Sequence, residues 1–329
     1  MMKAIPETDM ASDSYNAPRW LPGGHLQTLY PALFLHGPEV SYRRERWELD
    51  DGDFLDADWL DGPDEAPLLV LFHGLEGNSA RPYARSLMQA AKRLGWRGVA
   101  VNFRGCSGEP NRLPRAYFAG DSAEIDGVFA RLRRRFPGTL LHAVGISLGG
   151  NALLKWLGEA GRAATQYVSS AAAVSATLDM NAAGRALDEG FNRRVYTAHF
   201  LATLKNKALA KAARFPGLLD AKAIRAATTF REFDTLVTAS LHGFRDAEDY
   251  WTRASSKPLL RHIAVPTLVL NAYNDPFLPA SALPHAHEVT DSVRLLQPAS
   301  GGHVGFPQGA FPGHIDWMPR HVLAFLNQA

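Results

Sequence analysis

The sequence predicts an α/β fold: a mostly parallel, eight-stranded sheet with helices on both faces and a helical cap inserted over it. Three observations lead there. Short apolar runs alternate with segments of helical spacing along much of the chain, the pattern of βα units around a parallel sheet. One of these runs ends in the sharp turn Gly145-Ile146-Ser147-Leu148-Gly149, which opens a helix. Residues 177–255 break the alternation and read as helical, with few strand candidates.

Taken in order, residues 40–49 and 53–60 read as two strands joined at Asp50-Asp51-Gly52-Asp53, an Asp-Gly hairpin signal. Leu55, Ala57 and Trp59 alternate with polar neighbours on the second strand. Leu68–Phe72 is a continuous apolar run, as expected of a strand buried on both faces. Residues 81–94 then read as a helix, 98–103 as a buried strand, and 120–135 as a helix closing on Arg133-Arg134-Arg135. A strand leads into Ser147 and a helix follows it; strands near 167–174, at 266–271 and at 292–297 complete the sheet. Residues 314–327 close the chain as an amphipathic helix.

The 329 residues read as one domain, 1–329, with an N-terminal docking segment at about 1–37 and the helical cap at about 177–255. Residues 1–17 are polar and mixed, expected to be mobile or draped on the surface. The run from Arg19 to Pro31 is dense in large apolar residues and is expected to dock on the body. A net charge of +2 carries no nucleic-acid signature. Cys106 is the single cysteine, so no intramolecular disulfide forms, which fits a reducing compartment. The N-terminus has no apolar signal region, and no stretch approaches the ~18 apolar residues of a membrane span. The chain therefore reads as soluble and cytoplasmic. Between Arg185 and Arg231 stand ten basic residues (185, 193, 194, 205, 207, 211, 214, 222, 225 and 231) against Asp188, Glu189 and Asp220. Such a stretch is either a solvated helix surface or a site of peripheral contact with anionic lipid or an acidic substrate.

The chemistry starts at Ser147. In a nucleophile elbow the serine sits on a tight strand-to-helix turn, its flanking glycines leave room around it, and the helix N-terminus below favours negative charge. A serine needs an oriented base. Asp275 and His303 follow in the order Ser…Asp…His, each in a loop just past a strand's carboxyl end, where ligands gather in open α/β sheets. Asp246, Asp249 and Asp291 are the competing acids, and each lies before a strand. Oxyanion donors are expected from the backbone amides of Leu75 and Leu148. His73 is expected to support the loop that carries Leu75, and Cys106 to be a small packed residue. The pair His285 and His287 finds no further ligands nearby, so no metal site is expected. Acyl transfer through Ser147 needs no metal or organic cofactor.

Five segments carry a family resemblance: Trp20 to Thr28 (WLPGGHLQT), His73 to Gly77 (HGLEG), Asn102 to Asn111 (NFRGCSGEPN), the Ser147 turn, and Phe230 to Asp234 (FREFD) running on to Gly243-Phe244 and Asp249-Tyr250-Trp251. On these the chain resembles the YheT-like family of the α/β-hydrolase superfamily. The resemblance implies the α/β-hydrolase fold, a Ser147–Asp275–His303 triad and carboxylic ester hydrolysis. It further implies short- or medium-chain acyl or lipid esters as substrates. Relatives in eukaryotes often carry an N-terminal membrane anchor, which this sequence lacks. Alcohol O-acyl transfer on the same acyl-enzyme, and a catalytically idle fold serving as a ligand-binding module, remain the other readings.

Overall fold

The computed structural model describes residues 15–328. Residues 1–14, most of the polar N-terminal stretch, lie outside the described residues. One sheet organises the molecule: β1 (Arg43–Glu48), β2 (Phe54–Leu60), β3 (Leu68–Phe72), β4 (Arg97–Asn102), β5 (Leu141–Ile146), β6 (Ser170–Val174), β7 (Thr267–Leu270) and β8 (Val293–Leu296), in the order β1-β2-β4-β3-β5-β6-β7-β8. The two pairings of β2 are antiparallel and all others are parallel.

The continuous apolar strands divide their side chains by the two-residue period. Leu68, Val70 and Phe72 of β3 point to one face, where Phe129 and Leu132 of α3 (Ser122–Arg135) and Leu153 and Trp156 of α4 (Leu148–Ala160) cover them. Leu69 and Leu71 point to the other, against Leu87 and Met88 of α2 (Pro82–Arg93) and Trp317 and Leu323 of the C-terminal helix Trp317–Gln328. That last helix begins three residues later than its pattern suggests. Gly313 takes a left-handed φ of 78°, and His314 pairs its backbone with Gln308 in an isolated bridge instead of starting a turn.

The hairpin β1–β2 differs from a half-solvated ribbon in an instructive way. All of β2 is buried, its aspartates included. The register sets Arg44 opposite Asp58 and Arg46 opposite Asp56, so each buried carboxylate meets a guanidinium across the strands. The bonds are bidentate, at 2.7 and 2.8 Å for Asp58 and 2.8 and 2.9 Å for Asp56. Asn102 of β4 donates to Asp58 as well, at 2.8 Å. Arg104, just past β4, closes the hairpin's other end. It is 6% exposed and holds Glu124 of α3 through two bonds of 2.8 and 2.9 Å, Asp51 at 2.8 Å and the fully buried Asp53 at 3.2 Å.

Between β6 and β7 the described chain contains no strand. It runs through α5 (Met180–Leu187) and the helices Ala198–Arg214, Ala221–Ala226 and Ala247–Ala254. Leu201, Ile224, Phe233 and Val237 give this stretch its own small core. Part of its positive charge is turned toward the sheet. Lys207, Lys211 and Arg214 share one helical stripe and face the loops after β3 and β4. Lys207 pairs with Glu76 at 2.7 Å, Lys211 donates to the Leu113 and Arg115 carbonyls at 2.9 and 3.2 Å, and Arg214 to the Asn111 carbonyl at 2.9 Å. Lys205, Arg193 and Arg231 find partners within the stretch. Arg193, Arg214 and Arg231 are exposed, as a solvated helix surface requires, whereas Lys207 and Lys211 are partly buried against the sheet-end loops.

Two outcomes follow for stability. Replacing Arg104 by Met strands two buried carboxylates, so urea unfolding is expected to show a loss of about 3–5 kcal/mol. Burial pushes Asp53, Asp56 and Asp58 up. The hydrogen bonds they accept, from the Arg112 amide, Arg46 and Arg44 respectively, more than reverse that, and each sits below the ordinary carboxylate value. Groups depressed on folding stabilise the native state above the unfolded pKa, near 3.8, and cease to do so as pH falls through their folded values. The contribution of these three carboxylates to the urea midpoint is therefore constant above about pH 5 and falls progressively as pH drops below about 4.

Candidate active site

Ser147 lies between β5 and α4 with φ 53° and ψ −116°, a region that costs a non-glycine residue about 1–3 kcal/mol. The turn is held from both sides. The Ser147 amide donates to the Val174 carbonyl at 2.8 Å, extending the β5–β6 ladder past the end of β5. Beneath it, a Cβ on Gly149 would stand 2.5 Å from the Phe72 and His73 carbonyl oxygens, and one on Gly145 would stand 2.5 Å from the Gly149 carbonyl. Only glycine allows α4 to pack this close to β3.

Asp275 and His303 come from the loops after β7 and β8. His303 Nε2 is 2.8 Å from Ser147 Oγ, and His303 Nδ1 is 2.9 and 3.1 Å from the two Asp275 oxygens. A carboxylate only accepts, so Nδ1 carries the proton and donates to Asp275; Nε2 is left as the acceptor for the Ser147 hydroxyl. The Phe277 amide donates to Asp275 Oδ1 at 2.8 Å, and the Phe277 ring stacks on the imidazole with centroids 4.0 Å apart. All three residues are buried, Ser147 and His303 at 8% exposure and Asp275 at 5%. The competing acids lie elsewhere: Asp246 caps the helix Ala247–Ala254, Asp249 lies within it, and Asp291 is exposed.

Ser147 and His303 open onto a cavity of about 1030 Å³. Its walls are mainly apolar and come from both the sheet-end loops and the helical stretch, with Leu187, Phe200, Phe233 and Val237 among them. Leu75 and Leu148 also line it. Neither of their amides makes a loop or turn hydrogen bond among the described residues, so both donors stay uncommitted beside the serine.

His73 supports the Leu75 loop. Its Nε2 accepts from the Phe103 amide at 3.0 Å, so Nδ1 bears the proton and donates to the Gly74 carbonyl at 2.7 Å. Burial lowers its pKa to about 4, which keeps the ring neutral. Glu76, next along, has a left-handed φ of 52°. Its backbone N–H donates to the Tyr117 oxygen at 2.8 Å, and Tyr117 donates in turn to the Glu76 carboxylate at 2.8 Å. Cys106 is buried beneath this cluster, its thiol pushed up to about 11 by burial, 3.6 Å from Lys207 Nζ. His285 and His287 are exposed and stack on each other. Among the described residues no group of three His, Cys, Asp or Glu is placed to hold a metal ion, and no helix is long and apolar enough to cross a membrane.

Reasoning from sequence did not single out Gln27, Thr28, Asn274, Phe277 or Tyr117. The dense segment from Trp20 to Thr28 was the one available signal, and it leads into α1 (Gly23–Phe34), which lies directly against the Asp275 and His303 loops.

Residues 67–310 match the family described as the alpha/beta hydrolase fold. The chain is 39% identical over 308 residues to the Escherichia coli (strain K12) protein named "Putative esterase YheT", covering 92% of this chain and 90% of that one. It is 29% identical over 327 residues to the Mus musculus protein named Phospholipase ABHD3, covering 97% of this chain and 79% of that one. Among solved structures, the Pyrococcus furiosus esterase Pf2001 superposes with a TM-score of 0.57 at 15% identity, over 89% of this chain and 97% of that one, a likeness of fold. With its sheet order, its strand-turn-helix at Ser147 and these matches, the chain belongs to the α/β-hydrolase family, as a YheT-like member of its esterase and lipase type.

Proposed function

We propose that the protein hydrolyses carboxylic esters of acyl chains through an acyl-enzyme on Ser147. The observation that carries this reading is the unbroken line of hydrogen bonds from Ser147 Oγ through His303 to Asp275, opening onto a large apolar cavity. Ser147 Oγ attacks the ester carbonyl while His303 Nε2 takes its proton. Asp275 holds the imidazole in the required tautomer and stabilises its cation. The Leu75 and Leu148 amides receive the oxyanion at the N-terminus of α4, each worth about 2.7–4 kcal/mol in the transition state. His303 then gives its proton to the departing alcohol. A water molecule, deprotonated by His303, attacks the acyl-enzyme and releases the acid.

The helical stretch 177–255 acts as a cap in this reading, and its apolar side chains receive the acyl chain. The phospholipase name of the mouse relative is consistent with lipid esters as substrates. Arg185, Arg194 and Lys222 are the exposed cap cations whose side chains make no hydrogen bond among the described residues, and contact with an anionic lipid surface would fall to them.

Three measurements test the proposal. Ser147→Ala is expected to abolish fluorophosphonate labelling and to lower kcat on nitrophenyl esters by on the order of 10⁴–10⁶-fold. Labelling that persists in this variant refutes the acyl-enzyme on Ser147. Asp275→Asn is expected to leave labelling detectable but slow, with kcat down by about 10⁴-fold through loss of the correct tautomer. Val237→Phe narrows the cavity: across a series from acetate to palmitate, kcat/KM should fall for the long esters by about 10-fold or more and stay within about twofold for acetate. Product partition with added alcohol separates hydrolysis from acyl transfer on the same intermediate.

A further inference from the structure

The acid and the base do not rest on the sheet alone. The Asp275 and His303 loops leave β7 and β8 as irregular backbone, and their amides need partners. Two of those partners, Gln27 and Thr28, lie on α1, more than 240 residues away in sequence. Gln27 is 2% exposed and uses both ends of its amide: Nε2 donates to the Leu21 carbonyl at 3.0 Å, while Oε1 accepts from the Gly301 amide at 2.9 Å and from Asn274 Nδ2 at 3.0 Å. Asn274, the neighbour of Asp275, turns its Oδ1 onto the Gly302 amide at 3.0 Å. Thr28 Oγ1 accepts from the amide of His303 itself at 2.8 Å and donates to the Gly24 carbonyl at 2.7 Å. Gly24 packs so tightly on the acid loop that a Cβ there would overlap the Asn274 carbonyl.

We infer that α1 is a positioning element for the reaction, in which Gln27 and Thr28 set the separation and orientation of Asp275 and His303 by hydrogen-bonding the loops that carry them. The inference rests on the acyl-enzyme reading above. Its geometry is specific. Gln27 Oε1 bridges the acid loop, through Asn274, to the base loop, through Gly301. Thr28 then holds the base residue's own amide. A second contact runs through the cap: His25 Nδ1 lies 3.1 Å from the Tyr196 hydroxyl, Tyr196 meets Phe277 edge-on at 4.8 Å, and Phe277 stacks on the imidazole. A brace that served stability alone would have no reason to converge on these two loops. Displacing a reacting group by about 1 Å costs on the order of 100-fold in rate, so the effect is read in kcat.

The test uses Thr28→Val, Thr28→Ser, Asn274→Ala and Ser147→Ala in the full chain, assayed on a soluble nitrophenyl ester and by the rate of fluorophosphonate labelling. Thr28→Val and Asn274→Ala are expected to lower kcat and the labelling rate by about 10- to 100-fold with KM within about twofold. Thr28→Ser, which keeps the oxygen, is expected to return kcat to within about threefold of the parent. Wild-type kcat in both Thr28→Val and Asn274→Ala overturns the inference, whatever their melting temperatures. So does a rise in KM at constant kcat, which would make Thr28 a wall of the cavity, or a loss that Thr28→Ser does not restore. Ser147→Ala keeps the two readings apart: activity retained there defeats the acyl-enzyme, whereas a silent Ser147→Ala beside a fully active Thr28→Val defeats only the role of α1.

Discussion

The backbone at Ser147 is the constraint from which the site descends. A serine with φ 53° is unfavourable by itself, and it persists because its surroundings leave it no other conformation. Its amide is claimed by Val174, its successor begins α4, and the glycines on either side admit β3 and α4 at contact distance. Neighbouring strands repeat the device. Ser175, one residue past β6, has φ 49°, donates its amide to the Leu270 carbonyl at 2.7 Å and offers its Oγ to the Val304 amide at 2.9 Å. Successive strand ends are thus tied to one another along the edge of the sheet where Ser147, Asp275 and His303 meet.

What could be read from the chain alone follows the range of the interactions involved. The Ser147 turn is a local event, so its glycines and flanking apolar runs announce it. Asp275 and His303 could be picked out because each ends a strand and their order matches a known chemistry. Asp56 and Asp58 could not be placed, since an alternating strand reads as half-solvated and their burial depends on arginines that the hairpin register brings across. The start of the last helix was misplaced because a backbone bridge from His314 to Gln308 outweighs an amphipathic pattern. Gln27 carried no signal of its own: a glutamine acquires meaning only when Gly301 and Asn274 arrive beside it. The proposed oxyanion donors are backbone amides, and no residue identity encodes them.

The cations of the helical stretch show how composition can mislead. Ten basic residues against three acids suggest either a solvated helix surface or contact with an external anion. The helical stripe of Lys207, Lys211 and Arg214 instead satisfies Glu76 and loop carbonyls on the sheet side. Lys207 reaches the residue next to Leu75, so the helical stretch and the loop beside Ser147 are joined through one ion pair, itself hydrogen-bonded to Tyr117.

The bonds from α1 to the Gly301 and His303 amides span 274 and 275 positions of the chain. That separation imposes an order of events during synthesis. α1 must wait for the loop after β8 before either has its native partners. Ser147 and its turn can form from β5, β6 and α4 long before that. A chain in which α1 and the loop after β8 have not yet met therefore holds the Ser147 turn without the bonds that fix the His303 loop.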